Sequence, residues 1–110
     1  MIKLWIDDMR PAPDESYIWI KSVWDAEMYL TTLVRPEGDI LEVNEINLDH
    51  DAGDYAYDGG DYIELLKWIE EKQHYENWHI NGVFKLHSHN VVGVANMRTI
   101  IKHNGWRLAE

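Results

Sequence analysis

Three short apolar runs in this 110-residue chain end abruptly in residues that ligate metals or move protons. Ile2-Lys3-Leu4-Trp5-Ile6 runs into Asp7-Asp8. Ile46-Asn47-Leu48 runs into Asp49-His50-Asp51. Gly82-Val83-Phe84-Lys85-Leu86 runs into His87-Ser88-His89-Asn90. Carboxylates suit hard cations, and imidazole exchanges its proton near neutral pH. One strand ending in a carboxylate is unremarkable, but three such ends point to a shared site. Crowding Asp7, Asp8 and Asp49 without a counter-charge would raise their pKa values and weaken the fold, because like charges within about 4 to 6 Å repel. A divalent cation, Mg²⁺ or Mn²⁺, removes that conflict, and Asp51 is a fourth candidate ligand. His87 and His89, two apart on an extended segment, face the same way. Zn²⁺ would need further ligands from His50 and Asp49 or Asp51, so it is the lesser expectation. Ser88 and Asn90 stand at a helix N-terminus, whose free N–H groups suit a phosphate.

The elements that must carry these residues follow from periodicity. Residues 2–6, 17–20, 45–49 and 83–88 read as strands, with 106–108 as a short last one. Pro11 and Pro13 keep the stretch after the first strand out of a helix or central strand, so it leaves the sheet as a loop. Ser22 caps a helix to about residue 34, marked by Val23, Ala26, Leu30 and Leu33. Residues 51–60 read as a loop. Asp61 and Glu64 read as the cap pair of a helix to about Lys72, with Tyr62, Leu65, Leu66 and Ile69 facing inward. Residues 74–81 read as a connection. Asn90 caps a helix over 91–103, which Asn104-Gly105 ends. Alternating strands and helices predict a parallel three-layer α/β sheet in one domain, 1–110. Right-handed crossovers then bring all C-terminal strand ends to one edge, where ligands bind.

Composition narrows the classes. There are 10 basic and 20 acidic residues, a formal −10, which argues against a broad polyanion-binding face and so against long duplex nucleic acid. Most acids between Glu37 and Glu64 read as solvated surface, and His74, His79 and His103 as surface or core residues. With no Cys, no disulfide partner or thiolate site is expected. No run approaches the ~20 apolar residues of a membrane span, and the N-terminal stretch lacks signal-peptide features, so a cytoplasmic location is expected. Asp49-x-Asp51 does not continue as a calcium loop, since that loop's glycine and glutamate positions hold Asp54 and Gly60. There is no phosphate-cradling Gly-Lys loop and no Gly-x-Gly-x-x-Gly.

Taken together, Asp7-Asp8-Met9-Arg10-Pro11, Leu48-Asp49-His50-Asp51, Gly60-Asp61-Tyr62 and His87-Ser88-His89-Asn90, with Gly93 and Asn96-Met97, resemble the cyclic-phosphate-processing receiver-like domains. The resemblance covers nearly the whole chain. It implies a shortened, flavodoxin-like receiver fold with strand order 2-1-3-4-5. It also implies handling of cyclic phosphates, in RNA-end repair, nucleotide signalling or bacterial and phage conflict. Asp7 and Asp8 are similar to the receiver's Mg²⁺-holding pair, Asp49 to its phosphoacceptor and Ser88 to its hydroxyl residue. The receiver's lysine at the fifth strand end has no counterpart. Lys102, inside the last helix, is the only Lys after the fourth strand.

The resulting expectation is a metal-dependent phosphoesterase acting on a cyclic nucleotide or an RNA 2′,3′-cyclic phosphate end. Asp7, Asp8, Asp49 and Asp51 are the metal candidates. His50 and His87 are candidates for general acid–base work. Asp49 is either ligand or nucleophile. Arg10, Ser88 and Asn90 are the phosphate-binding candidates. The alternatives are a non-catalytic module binding a nucleotide or a protein, with Trp5, Trp19, Tyr55 or Tyr57 stacking on bases, and a phosphorylated signalling receiver.

Overall fold

The structure, a computed structural model, describes residues 1–109. Five parallel strands form the main sheet: β1 (Lys3–Ile6), β2 (Tyr17–Ile20), β5 (Glu45–Leu48), β7 (Val83–Leu86) and β8 (Arg107–Leu108). Their order is β2-β1-β5-β7-β8, which is the expected 2-1-3-4-5. Three helices connect them: α1 (Val23–Thr32), α2 (Ile63–Glu76) and α3 (Val91–His103). A second, small sheet orders β3 (Val34–Arg35), β4 (Ile40–Leu41) and β6 (His79–Ile80). Sequence reading passes over this sheet, because two-residue strands carry no detectable period.

The helices begin where short polar side chains hold the first turn. Ser22 accepts a hydrogen bond from the Asp25 N–H at 3.1 Å, and Asn90 from the Gly93 N–H at 2.8 Å. The expected Asp61–Glu64 cap of α2 does not form. Tyr62 holds the cap position without a side-chain bond, and Asp61 instead accepts from the Ala52 N–H at 2.9 Å. Helix α2 runs on to Glu76, past Lys72, and stops at Asn77 in the left-handed conformation. The 51–60 stretch contains a 3-10 turn, Gly53–Asp58.

Alternation along the strands sorts the two faces of the sheet. Leu4, Ile6, Ile46, Leu48 and Phe84 face the core with Leu30, Leu65, Leu66, Ile69, Met97 and Ile101 from the helices, which pack on one another in sequence order. Each such side chain contributes roughly 1.5–3 kcal/mol by leaving water. The alternate positions carry Lys3, Trp5, Tyr17, Trp19, Glu45, Asn47, Val83 and Lys85. Against them lies the β1–β2 connection, which receives the Trp5 indole N–H on the Arg10 carbonyl at 2.8 Å and the Trp19 indole N–H on the Asp7 carbonyl at 2.7 Å. The third layer is therefore this proline-containing loop and not a helix.

Register places the site. Ile6 lies beside Ile20 and Leu48, and Leu48 beside Leu86. The ladder continues one residue further: Asp7 N–H donates to the Ile20 carbonyl (3.2 Å), Asp49 N–H to Ile6 (2.9 Å) and His87 N–H to Leu48 (2.9 Å). Asp7, Asp49 and His87 thus stand side by side at the carboxyl edge.

Candidate functional site

Asp7 is 1% exposed, so its charge must be compensated by contacts. Its Oδ1 accepts the Met9 and Arg10 N–H groups, each at 2.9 Å, in a turn that closes the loop after β1. Its Oδ2 lies 2.9 Å from His87 Nε2 and 3.6 Å from Arg10 Nε. Burial pushes the Asp7 pKa up, but the two backbone donors and His87 outweigh it and hold the carboxyl below its usual range.

Asp49, also buried, accepts the His50 N–H on Oδ1 at 2.7 Å, and its Oδ2 is 3.7 Å from Arg10 Nη2. Arg10 therefore spans the ends of β1 and β5. Asp8 has no such partner among the described residues: burial first, then the charges of Asp7, Asp49 and Asp51, push its pKa up. One ligand atom from each of Asp7, Asp8 and Asp49 lies within 4.8 Å of the others. Three carboxylates against one guanidinium leave a charge that a divalent, oxygen-seeking cation fits. The backbone makes room for the Asp8 carboxylate. Gly53, at φ +56°, passes so close that a Cβ there would stand 2.4 Å from Asp8 Oδ2. These residues could hold such an ion.

Asp51 does not join that trio. It belongs to a second group with His50 and Asp61, again within 4.8 Å. Its Oδ1 sits 2.7 Å from His50 Nδ1 and accepts from the Asn90 amide at 3.1 Å, contacts that keep Asp51 below its usual pKa range. The His50 ring lies against Gly93 of α3. Its Nε2 has no hydrogen-bond partner among the described residues.

His87 is placed differently. It stacks on the Trp5 indole with centroids 3.7 Å apart and planes at 5°. Nε2 meets Asp7, and Nδ1 meets Asn47 Oδ1 at 2.5 Å. Burial, the larger influence, takes its pKa down against the pull of Asp7. His89 lies in a bend, is exposed, and joins neither group. The extended reading of 83–88 fails there because the strand ends at Leu86 and the ladder's last bond is the one from His87 N–H. Ser88 Oγ accepts the Asn90 N–H at 3.1 Å, which shapes the turn into α3. Lys102 is exposed in the last turn of α3.

Sequence reading singled out the strand-end residues but passed over Asn47 and Glu45 as partners of the site. Both are buried polar residues alternating with Ile46 and Leu48, which is the signal that could have found them.

A family model described as a cyclic-phosphate processing receiver domain matches residues 2–103. No curated protein matches the chain, and no solved structure does.

Proposed function

The chain belongs to the cyclic-phosphate processing receiver domain family, and from that premise we propose that it is a metal-dependent phosphoesterase opening a cyclic phosphate. The observation that carries this reading is the meeting of Asp7, Asp8 and Asp49 within 4.8 Å, bridged by Arg10 and adjoined in sequence by the His50–Asp51 pair. Asp8 and Asp49, with Asp7, would hold Mg²⁺ or Mn²⁺. Such a cation supplies positive charge against the phosphate and acidifies water at the site.

The chain's own groups do the rest. Arg10, half-exposed, turns its remaining N–H donors toward non-bridging oxygens. Asp51 holds His50 Nδ1, leaving Nε2 to take the proton from the attacking water as the P–O bond forms. The departing ribose oxygen, on the opposite side of the phosphorus, takes its proton from solvent water as the second P–O bond breaks. His87, bonded at both nitrogens, is the weaker candidate for that proton. Ser88, Asn90 and the first N–H groups of α3 would orient the phosphate. The substrate class is a cyclic nucleotide or an RNA terminus carrying a 2′,3′-cyclic phosphate.

Incubation with 2′,3′- and 3′,5′-cyclic mononucleotides and a cyclic-phosphate-ended oligonucleotide, with Mg²⁺ or Mn²⁺, tests this. Ring opening of at least one is expected, and no turnover of any would overturn it. A second reading makes Asp49 the group that takes the phosphoryl, favoured by Arg10 facing its Oδ2. A phosphorylated Asp49 formed from a small phosphodonor would establish it. The binding-module reading draws on Trp19, 38% exposed with Lys21 Nζ 4.5 Å from its ring centre. Calorimetry showing tight nucleotide binding, with the ligand recovered intact, would favour that module.

A further inference from the structure

The helix-free side of the sheet carries a buried polar chain that ends on the candidate metal site. Glu45 is 8% exposed and receives the Tyr17 hydroxyl and the Lys85 ammonium, the latter at 3.0 Å. The Asn47 amide leans on Glu45 Oε2 at 3.5 Å, and Asn47 Oδ1 meets His87 Nδ1. His87 Nε2 then meets Asp7 Oδ2 at 2.9 Å, while Trp5 supports the ring from below. Residues on β2, β5 and β7 are thus linked, side chain to side chain, to one carboxylate at the end of β1.

We propose that Asn47 and His87 form a strut that orients the Asp7 carboxylate toward its cation, with Glu45 as the anchor at the far end. A carboxylate offers about four acceptor positions. At Asp7 the Met9 and Arg10 N–H groups take two and His87 a third, so the strut decides which direction remains for a metal. Groups behind a ligand commonly set its aim and the affinity of the ion it holds. Asn47, Glu45 and Trp5 are positioning residues here: each acts through His87. A solvated surface role does not fit, because Asn47 and Glu45 are each buried on a strand flanked on both sides. The inference rests on the metal part of the proposed function but not on its hydrolytic step.

The test measures Mn²⁺ binding to the metal-free full chain by calorimetry, alongside thermal unfolding in chelator. Asn47→Leu removes the partner of Nδ1 at similar volume. His87→Phe keeps the stack on Trp5 and loses both hydrogen bonds. His87→Gln keeps a donor for Asp7. Mn²⁺ affinity is expected to fall about tenfold or more in N47L and H87F. H87Q is expected to restore most of it, in excess of any recovery in melting temperature. Affinities within twofold of wild type in folded N47L and H87F would overturn the strut. So would losses in all three variants that merely track melting temperature, or a wild-type chain that binds no Mn²⁺. Should H87F not fold, the N47L and H87Q pair carries the same decision. Binding that follows the strut without turnover of any cyclic phosphate would leave the strut standing and remove the hydrolase.

Discussion

The His50 ring lies so close over Gly93 that a Cβ on Gly93 would stand 2.4 Å from His50 Cγ. That glycine is in the first turn of α3, where Asn90 caps the helix through its N–H and also contacts Asp51. One backbone position therefore controls both a helix start and the seat of an imidazole.

Two effects compete when Gly93 becomes alanine. Helix propensity alone would stabilise the chain by about 1 kcal/mol. A 2.4 Å approach cannot be absorbed without moving the ring. Gly93→Ala is expected to lower the melting temperature, separate His50 from Asp51 and reduce turnover by about tenfold or more. A variant more stable than wild type with unchanged turnover would show that the ring has room to spare.

Asp8 is the carboxylate of the trio with no cationic side chain beside it among the described residues, and burial and three neighbouring carboxylates raise its pKa. Asp8→Asn is expected to raise the melting temperature in chelator at pH 7, since it removes a repelled charge. In the wild-type chain, Mg²⁺ or Mn²⁺ at a hundredfold over its dissociation constant should add about 2.7 kcal/mol. D8N should lose that gain. Thermal unfolding with and without metal reads both effects, and an equal metal response in the two proteins would place the ion elsewhere.

Glu45 carries a stability signature in acid. Burial tends to raise its pKa, but the Tyr17 hydroxyl and the Lys85 ammonium more than offset that and lower it. A folded-state pKa below the unfolded one means that the contribution is present above the unfolded value, about 4.5. It is lost as pH falls through the lower, folded value. Wild type should therefore lose stability below about pH 5 more steeply than Glu45→Gln. Denaturant titrations from pH 7 to 3 compare the slopes. Parallel curves would mean that the Tyr17–Glu45–Lys85 contacts hold no net charge preference.

The proton-transfer role assigned to His50 has its own consequence. His50→Gln and Asp51→Asn should each lower kcat on a reactive cyclic phosphate, by about 10²- to 10⁴-fold for His50. Mn²⁺ affinity should stay near wild type, because neither residue belongs to the Asp7, Asp8 and Asp49 trio. Steady-state kinetics with parallel calorimetry separate the two. Loss of metal binding in H50Q would instead assign His50 to the ion.

The fold was legible in the sequence. Apolar runs broken by Pro11 and Pro13, the Ser22 and Asn90 caps, and the alternation of strand and helix carry the parallel order, because burial and local backbone sterics act over a few residues. The short sheet of β3, β4 and β6 was not legible, since two-residue strands are decided by the segments they meet. The cap of α2 was not legible either, because Asp61 has a distant competitor in the Ala52 N–H.

By itself the sequence determined which residue types arrive at the strand ends, since side-chain chemistry and period are local properties. The tertiary structure alone decided their company. It set Asp7 beside Asp49 and Arg10, separated Asp51 into the group of His50 and Asp61, and tied both nitrogens of His87 to Asp7 and Asn47. These partners lie 40 and 80 positions apart from His87, and only strand register brings them within bonding distance. Register is a property of the whole packed sheet, in which a shift of one residue would turn every one of these side chains to the opposite face.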